Sequence, residues 1–213
     1  MRTDELIHLL ATDDRPVQNT AIEQRFAVAT LAGIAGAGVL MLALFGLRTD
    51  LLATMAMPMF WGKLVFAAAL AAAGLELLHR MARPGMPVGR TALLLAVPPL
   101  VLWAMALVAL AQVPPVERMP LILGSTWRTC PFSIALLSAP AFVAGFWALK
   151  GAAPTRLAWA GAGAGLLAGA LGALVYAVHC PEMATPFLAV WYLAGMLIPT
   201  ALGAVLGPRF LRW

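Results

Sequence analysis

Two cysteines offer the clearest chemistry in this sequence. Cys130 and Cys180 are the only cysteines among its 213 residues, and His179, Glu182 and Met183 surround the second of them. Thiolate, imidazole and carboxylate groups are ligands of soft or borderline metal ions, and a thiol pair can also be oxidised reversibly. Three alternatives follow: a metal- or redox-responsive site with Cys130, Cys180 and His179 as candidate ligands, a structural disulfide, or two inert buried thiols.

Catalysis by these thiols is not indicated. Thiol oxidases of membranes need a CxxC motif or a relay of two cysteine pairs, whereas this chain has one widely spaced pair. We therefore expect a protein that is not an enzyme. No obligatory cofactor is expected, and the only small ligand would be a heavy-metal ion bound transiently at the cysteines.

The composition indicates which solvent surrounds the elements that position these cysteines. The chain is 62% hydrophobic and only 11% charged, with a mean hydropathy of +0.91. Soluble domains are about 45–50% apolar and about 25% charged, and a soluble fold of this size could not bury so much apolar surface. A lipid bilayer is therefore the expected surrounding.

The formal charge of +5 does not indicate nucleic-acid binding. The first 25 residues are net acidic, so the basic excess lies in the apolar part of the chain, near the predicted helix ends. Anionic lipid and membrane topology explain that placement better than a nucleic acid does. No direct contact with nucleic acid is expected.

Six stretches are long enough to cross a bilayer, which takes roughly 20 apolar residues. They are continuously apolar rather than alternating, which argues against membrane strands. The prediction is an all-α fold, with a bundle of six transmembrane helices in residues 26–213 and a short cytoplasmic N-terminal tail in residues 1–25. The predicted helices span about residues 26–47, 59–78, 91–111, 131–149, 157–178 and 186–207.

The distribution of Lys and Arg predicts the orientation, because cytoplasmic segments carry an excess of both. Ten of these residues lie in the tail, in the loops at 79–90 and 150–156, and at the C-terminus, whereas the opposite set of connections holds three. Both termini are therefore expected in the cytoplasm, and Cys130 and Cys180 at the outer face. The short inner loop makes the fourth and fifth helices an antiparallel hairpin, which would bring both sulfurs to a similar depth.

Charged and small residues inside the predicted helices have structural interpretations. Lys63 lies near the outer end of its helix and is expected to snorkel towards the interface, and Glu76 is expected to pair with Arg80 one turn later. Neither lies at the midplane, where a transporter places its coupling residues. Residues that predict close helix packing recur every four positions in the fifth helix: Gly161, Gly165 and Gly169. Prolines that are expected to kink helices are Pro98, Pro99, Pro140 and Pro199.

The tail has the pattern of a short amphipathic helix. Thr3 can cap it, Asp4 and Glu5 suit the positive end of the helix dipole, and Pro16 stops its continuation. Its apolar face consists of Leu6, Ile7 and Leu10. So short a helix needs a partner for that face. Its acidic first turn favours a cytoplasmic protein with a basic groove over a lipid surface.

Several short motifs follow one another in order along the whole chain. They are Thr3-Asp4-Glu5-Leu6-Ile7-x-x-Leu10 with Arg15-Pro16-Val17, Gly124-x-x-Trp127-Arg128-x-Cys130, His179-Cys180-Pro181-Glu182, Trp191-Tyr192, and Gly203-Ala204-x-x-Gly207-Pro208-Arg209-x-Leu211-Arg212-Trp213. With these motifs the sequence resembles the six-helix membrane anti-sigma factors of the NrsF type (negative regulator of sigma F).

The resemblance implies a non-catalytic regulator in the bacterial inner membrane. Its tail would bind an extracytoplasmic-function sigma factor and release it on a heavy-metal or oxidative signal, for which Cys130 and Cys180 are required. The residues expected to contact this partner are Asp4, Leu6, Ile7, Leu10, Pro16 and Val17. Two other classes remain open from the residues alone. A small transporter or channel would show midplane charges, and a membrane thiol-redox protein would show a second cysteine pair.

Overall fold

The protein is helical throughout the part that can be described. A computed structural model describes residues 2–12, 20–83, 86, 89–152 and 154–212, and contains no strand within them. The predicted all-α class is therefore confirmed. The helices are α1 (Thr3–Thr12), α2 (Thr20–Leu44), α3 (Leu51–Met55), α4 (Pro58–Met81), α5 (Gly89–Ala111), α6 (Pro115–Leu123), α7 (Cys130–Leu137), α8 (Ala139–Lys150), α9 (Leu157–Tyr176), α10 (Thr185–Phe187), a π-helical turn (Leu188–Tyr192) and α11 (Leu193–Phe210).

Five continuous helical stretches are long and apolar enough to cross a membrane. They are Ala21–Leu44, Pro58–Met81, Gly89–Ala111, Leu157–Tyr176 and Thr185–Phe210. A sixth span results if α7 and α8, which meet at a bend of 42°, count as one. The structure is thus consistent with a membrane protein, and each predicted stretch coincides with one of these helices or with the bent pair. The six-helix membrane bundle and the side on which the termini lie remain predictions.

The bend between α7 and α8 has a local cause. Pro140, the second residue of α8, lacks the N–H that a continuous helix would need and its ring crowds the preceding turn. The Ser138 hydroxyl at the break donates to the carbonyl of Ala135 over 2.6 Å. The connections predicted as breaks at 48–58 and 112–130 each contain a short helix, α3 and α6 respectively.

Helix α9 lies at the centre of the bundle, and its glycines determine how closely its neighbours approach. A Cβ at Gly161 would overlap the carbonyl oxygen of Gly203, and one at Gly165 would overlap that of Pro199. The backbones of α9 and α11 are therefore in direct contact, which confirms the close packing predicted from the glycine spacing. On another side of α9, a Cβ at Gly74 of α4 would lie 3.2 Å from the Cα of Leu167.

Helix α2, which follows the tail, packs against α8. A Cβ at Gly33 would lie 2.7 Å from the Cα of Ala141, and one at Gly36 would lie 2.7 Å from the Cβ of Pro140. Near the start of α2, the Arg25 guanidinium donates to the carbonyl of Trp147 over 2.7 Å and lies 4.1 Å from the centroid of its ring. The first half of the bundle is thus joined to α8 through α2.

Ion pairs occur at the end of the bundle where α2 begins, which we call the tail end. Arg80 donates to Glu76 over 2.7 Å, as predicted from their spacing of one turn. Arg83 reaches across to Glu23 of α2 over 3.1 Å. The opposite end of the bundle, which we call the cysteine end, carries both cysteines.

Candidate functional site

The fold brings the two cysteines together. Cys130 is the first residue of α7, and Cys180 lies in the connection between α9 and α10. Both side chains are completely buried, both are free thiols, and the two lie within hydrogen-bonding reach of one another. The antiparallel course of α8 and α9 is what returns the chain to the depth of Cys130.

Glu182 fastens the Cys180 segment to the turn that precedes Cys130. Its Oε1 accepts hydrogen bonds from the backbone N–H and the hydroxyl of Ser125 over 2.7 Å and 2.6 Å. The same oxygen accepts from the backbone N–H and the hydroxyl of Thr126 over 3.2 Å and 3.3 Å. The carboxylate, which the sequence offered as a possible metal ligand, is thus engaged in holding two chain segments together.

Gly124 makes this attachment possible. Its φ of +56° lies in a region that residues with side chains rarely adopt. A Cβ at this position would also lie 2.7 Å from Oε2 of Glu182 and 2.7 Å from a ring carbon of Phe187. The glycine at the start of the Gly124-x-x-Trp127-Arg128-x-Cys130 motif therefore has a steric reason.

The prediction that Lys63 snorkels towards the interface is wrong. Its side chain is completely buried, because the connection after α9 covers the end of α4. Its ammonium donates to the carbonyl of Cys180 over 2.9 Å and to that of Glu182 over 3.2 Å. A buried ammonium needs such partners, since leaving it without hydrogen bonds would be costly.

Arg48 holds the same carbonyl from the end of α2. Its Nη1 donates to the carbonyl oxygen of Cys180 over 3.1 Å. Its other nitrogens form a two-pronged ion pair with Asp50 over 2.8 Å and 2.6 Å. The hydrogen bond with Asp50 raises the pKa of Arg48, and the same bond lowers the pKa of the Asp50 carboxyl.

The thiol of Cys180 lies in surroundings that favour its ionised form. Its pKa is lowered, first by the hydrogen bond from the Cys130 thiol and then, against the opposing effect of burial, by the Lys63 ammonium. The hydroxyl of Tyr192 is buried close to this sulfur and has no other partner among the described residues. Because the thiolate is the reactive form, Cys180 is the more reactive member of the pair.

His179 does not join the cysteines. Its Nδ1 lies 3.2 Å from the carbonyl oxygen of Gly46, and its ring packs 5.3 Å from Phe45 and 5.9 Å from Tyr176. The described part of the chain contains no group of three or more His, Cys, Asp or Glu side chains arranged to hold a metal ion. The two thiols alone suit a soft metal ion, and the role of His179 as a third ligand stays a prediction.

Aromatic residues of two motifs enclose the cysteine end. Trp191 donates from its indole nitrogen to the carbonyl of Ile122 over 2.8 Å, and its ring lies 5.4 Å from that of Trp127. Arg128 is stacked 4.9 Å from the Trp127 ring, and Tyr192 is completely buried. The π-helical turn that contains Trp191 and Tyr192 is a feature that often occurs at functional sites.

Sequence reasoning missed two residues of this site. The sequence predicts that Lys63, a charge inside a helix, faces the interface, and it shows Arg48 only as one of the three basic residues in the connections predicted to lie outside the cytoplasm. A buried partner for Lys63 could have been suspected from its cost in an apolar helix. Nothing in the sequence relates Arg48 to Cys180.

The tail forms the predicted helix, and none of its described side chains is buried against the bundle. The structure describes the side chains of residues 2–8 and 12 in this segment, and all of them are exposed, with Leu6 41% and Ile7 60% accessible. Asp4 lies in the first turn. The backbone of Leu10 is helical, but its side chain, Pro16 and Val17 lie outside the described residues.

The start of α1 differs from the prediction. Thr3 is the first helical residue rather than the cap. The backbone N–H of Arg2 donates to the Glu5 carboxylate over 3.1 Å, as in one half of a capping box. The Glu5 carboxylate therefore binds the backbone N–H of the residue before the helix, which is a different donor from those that a capping threonine hydroxyl would bind.

Comparison with known proteins gives a consistent result. The family model described as negative regulator of sigma F matches residues 10–213. The chain is 46% identical over 213 residues to the probable anti-sigma-F factor NrsF of Azospira oryzae (strain ATCC BAA-33 / DSM 13638 / PS), and 38% identical over 219 residues to the anti-sigma-F factor NrsF of Caulobacter vibrioides (strain NA1000 / CB15N). Both alignments cover 100% of each chain. No solved structure matches.

Proposed function

Because the chain belongs to the NrsF family of negative regulators of sigma F, we propose that it is an anti-sigma factor of the bacterial inner membrane. Its cytoplasmic tail holds an extracytoplasmic-function sigma factor, and a signal at the cysteine end releases it. Both full-length relatives are named as regulators rather than enzymes, which supports a non-catalytic role.

The exposed tail helix is the observation that carries this proposal. Leu6 and Ile7 lie in a helix whose described side chains are all accessible, so neither of these two apolar side chains is buried by the described part of the chain. A short amphipathic helix of this kind gains stability when its apolar face enters a groove of a partner. The acidic first turn, with Asp4 and Glu5, suits a groove with a basic rim.

The partner-binding role is tested by Leu6→Asp in the full-length protein, with His8→Asp as the matched control. His8 lies about 200° around the helix from Leu6 at about 100° per residue, so the control adds the same charge to the opposite face. Loss of an apolar anchor costs about 2 kcal/mol or more, which is roughly thirtyfold in affinity. We expect Leu6→Asp to lose the sigma factor that co-purifies with the wild type and to raise target transcription without any signal.

The control should repress transcription as the wild type does, and immunoblots should show equal amounts of both variants in the membrane. Full repression by Leu6→Asp would show that the tail helix does not hold the sigma factor. The contributions of Leu10, Pro16 and Val17 to binding can be tested in the same assay by replacing each of them separately.

For the signal, we propose that Cys130 and Cys180 act as one responsive site. A soft metal ion would replace the two thiol protons and bridge the sulfurs. Hydrogen peroxide would instead take two electrons and two protons from the pair, so that a disulfide and two water molecules form. Either event draws the segment of Cys180 towards the start of α7.

The energy that such a response requires is modest. A ligand shifts an equilibrium only by its different affinity for the two states. A tenfold rise in target transcription corresponds to about 1.4 kcal/mol if occupancy of the tail limits transcription. The formation of a bond between two sulfurs, or between two sulfurs and a metal ion, can supply such a difference.

The test replaces each cysteine with serine, singly and together, at matched amounts in the membrane. All three variants should lose induction by Hg²⁺ and by hydrogen peroxide, and the double variant should behave as either single one because the residues act as a unit. A single variant that still responds fully would refute the paired site. Induction in all three without a signal would mean that the pair maintains the repressing state.

A further inference from the structure

The far end of α2 is attached to the segment that carries Cys180. Three contacts make this attachment, which we call the clasp. Arg48 donates to the carbonyl oxygen of Cys180 over 3.1 Å, Nδ1 of His179 lies 3.2 Å from the carbonyl oxygen of Gly46, and the Phe45 ring lies 5.3 Å from that of His179. All three start from the residues that immediately follow α2.

We propose that the clasp transmits a change at Cys180 to the tail, with Arg48 and His179 as its positioning residues; this inference rests on the proposed sensing function. The same helix that is clasped at one end carries the tail at the other. A displacement of the Cys180 backbone therefore acts on α2, the helix that follows the tail in the chain.

The position of the Arg48 side chain is fixed by its surroundings. Its guanidinium is held by the two-pronged contact with Asp50, and its side chain is only 15% exposed. A planar guanidinium that is fixed in this way has few alternative positions. When Cys180 moves towards Cys130, its carbonyl must either leave Arg48 or carry the end of α2 with it.

The packing of α2 gives this motion a pivot. The helix is continuous from Thr20 to Leu44 and is in close contact with α8 near its middle, through Gly33 and Gly36. At about 1.5 Å per residue, one arm from Gly36 to Leu44 measures about 12 Å and the other from Gly33 to Thr20 about 20 Å. A tilt about this contact moves the tail end at least as far as the clasped end.

The tail end has contacts that such a tilt would strain. The Arg25 guanidinium donates to the carbonyl of Trp147, and Glu23 of α2 accepts a hydrogen bond from Arg83, which follows the end of α4. Both residues lie within the first two turns of α2, so a tilt of the helix would change the distances to their partners. The described contacts thus run from the cysteines through the clasp and the pivot to the tail end of α2.

The clasp is tested with Arg48→Gln, and Arg118→Gln is the matched control. Arg118 is an exposed residue of α6, in the connection at 112–130 that is predicted to lie on the same side of the membrane as Arg48. The control therefore removes an equal charge on the same side. Intact cells carrying the full-length protein are treated with the thiol oxidant diamide. Formation of the Cys130–Cys180 disulfide is followed by loss of maleimide-polyethylene glycol labelling, and release of the sigma factor by target transcription.

We expect Arg48→Gln to form the disulfide as the wild type does, while its induction of transcription is at least threefold smaller. Arg48→Lys, which keeps a donor for the Cys180 carbonyl, should recover part of the induction. His179→Phe, which keeps the ring packing but loses the contact with Gly46, should also form the disulfide and respond weakly. A metal signal is avoided here because His179 is a candidate ligand.

Three results would count against the proposal. Wild-type induction in both Arg48→Gln and His179→Phe would refute the clasp and leave the proposed sensing function intact. Failure of Arg48→Gln to form the disulfide would mean that Arg48 places Cys180 and does not transmit. A wild-type protein that forms the disulfide without any rise in transcription would refute the sensing function itself, and the clasp with it.

Discussion

Glu182 provides a direct test of how the cysteine pair is assembled. Its carboxylate accepts four hydrogen bonds from Ser125 and Thr126, two of them as short as 2.6 Å and 2.7 Å. These bonds are the attachment between the Cys180 segment and the turn before Cys130. Glu182→Ala removes all of them, so the two segments should separate more often and the thiols should meet less often.

The size of the effect follows from the short bonds. A hydrogen bond to a charged group contributes about 1.5–3 kcal/mol. Because Glu182 is only half-buried and solvent weakens its interactions, we take the free energy of all four hydrogen bonds together as no more than that of one such bond. About 1.4 kcal/mol corresponds to a factor of ten. The effective concentration of one thiol near the other should therefore fall by roughly ten- to a hundredfold in Glu182→Ala.

The assay is the rate of disulfide formation between Cys130 and Cys180 in membrane vesicles treated with diamide. Glu117→Ala serves as the control, because Glu117 is an exposed carboxylate of α6 and its removal changes the net charge equally. Gly124→Ala provides a second variant that disturbs the attachment and leaves all charges in place. Its Cβ would lie 2.7 Å from Oε2 of Glu182, so the carboxylate would have to move.

Both Glu182→Ala and Gly124→Ala should slow disulfide formation, whereas Glu117→Ala should not. The reasoning is refuted if Glu182→Ala and Gly124→Ala both cross-link at the rate of the control. Slowing by the Glu182 variant alone would trace the effect to the charge near the thiols instead of to the attachment of the two segments.

Two further predictions concern the bundle. Gly165→Ala should lower the apparent Tm in detergent by several degrees, because its Cβ overlaps the Pro199 carbonyl oxygen and overpacking costs about 1–3 kcal/mol. Gly163→Ala should change the Tm much less, because its Cβ would meet side-chain carbons and no backbone, the nearest being a terminal carbon of Leu77 at 3.2 Å. Equal Tm values for the two variants would contradict the proposed contact. Alkaline phosphatase fused to the C-terminus should be inactive and the same enzyme inserted after Gly124 active, as expected if both termini are cytoplasmic; the reverse pattern would mean an inverted protein.

The sequence alone determined the helical class and the positions of the long helices. Apolar runs of about 20 residues leave a backbone in lipid no alternative to satisfying its own hydrogen bonds, so local composition is sufficient for that prediction. Local spacing was likewise sufficient for the pairing of Glu76 with Arg80 and for the close approach at Gly161 and Gly165. The ordered motifs were sufficient for the family.

The tertiary structure decided what the polar residues do. Lys63 is buried instead of exposed at the interface, because the distant connection after α9 folds over the end of its helix. Nδ1 of His179 lies against the carbonyl oxygen of Gly46, and the Glu182 carboxylate accepts hydrogen bonds from Ser125. Each of these partners lies far away in the chain, so periodicity along one helix holds no information about them. They depend on which loop covers which helix end, and that is fixed only when the whole bundle packs.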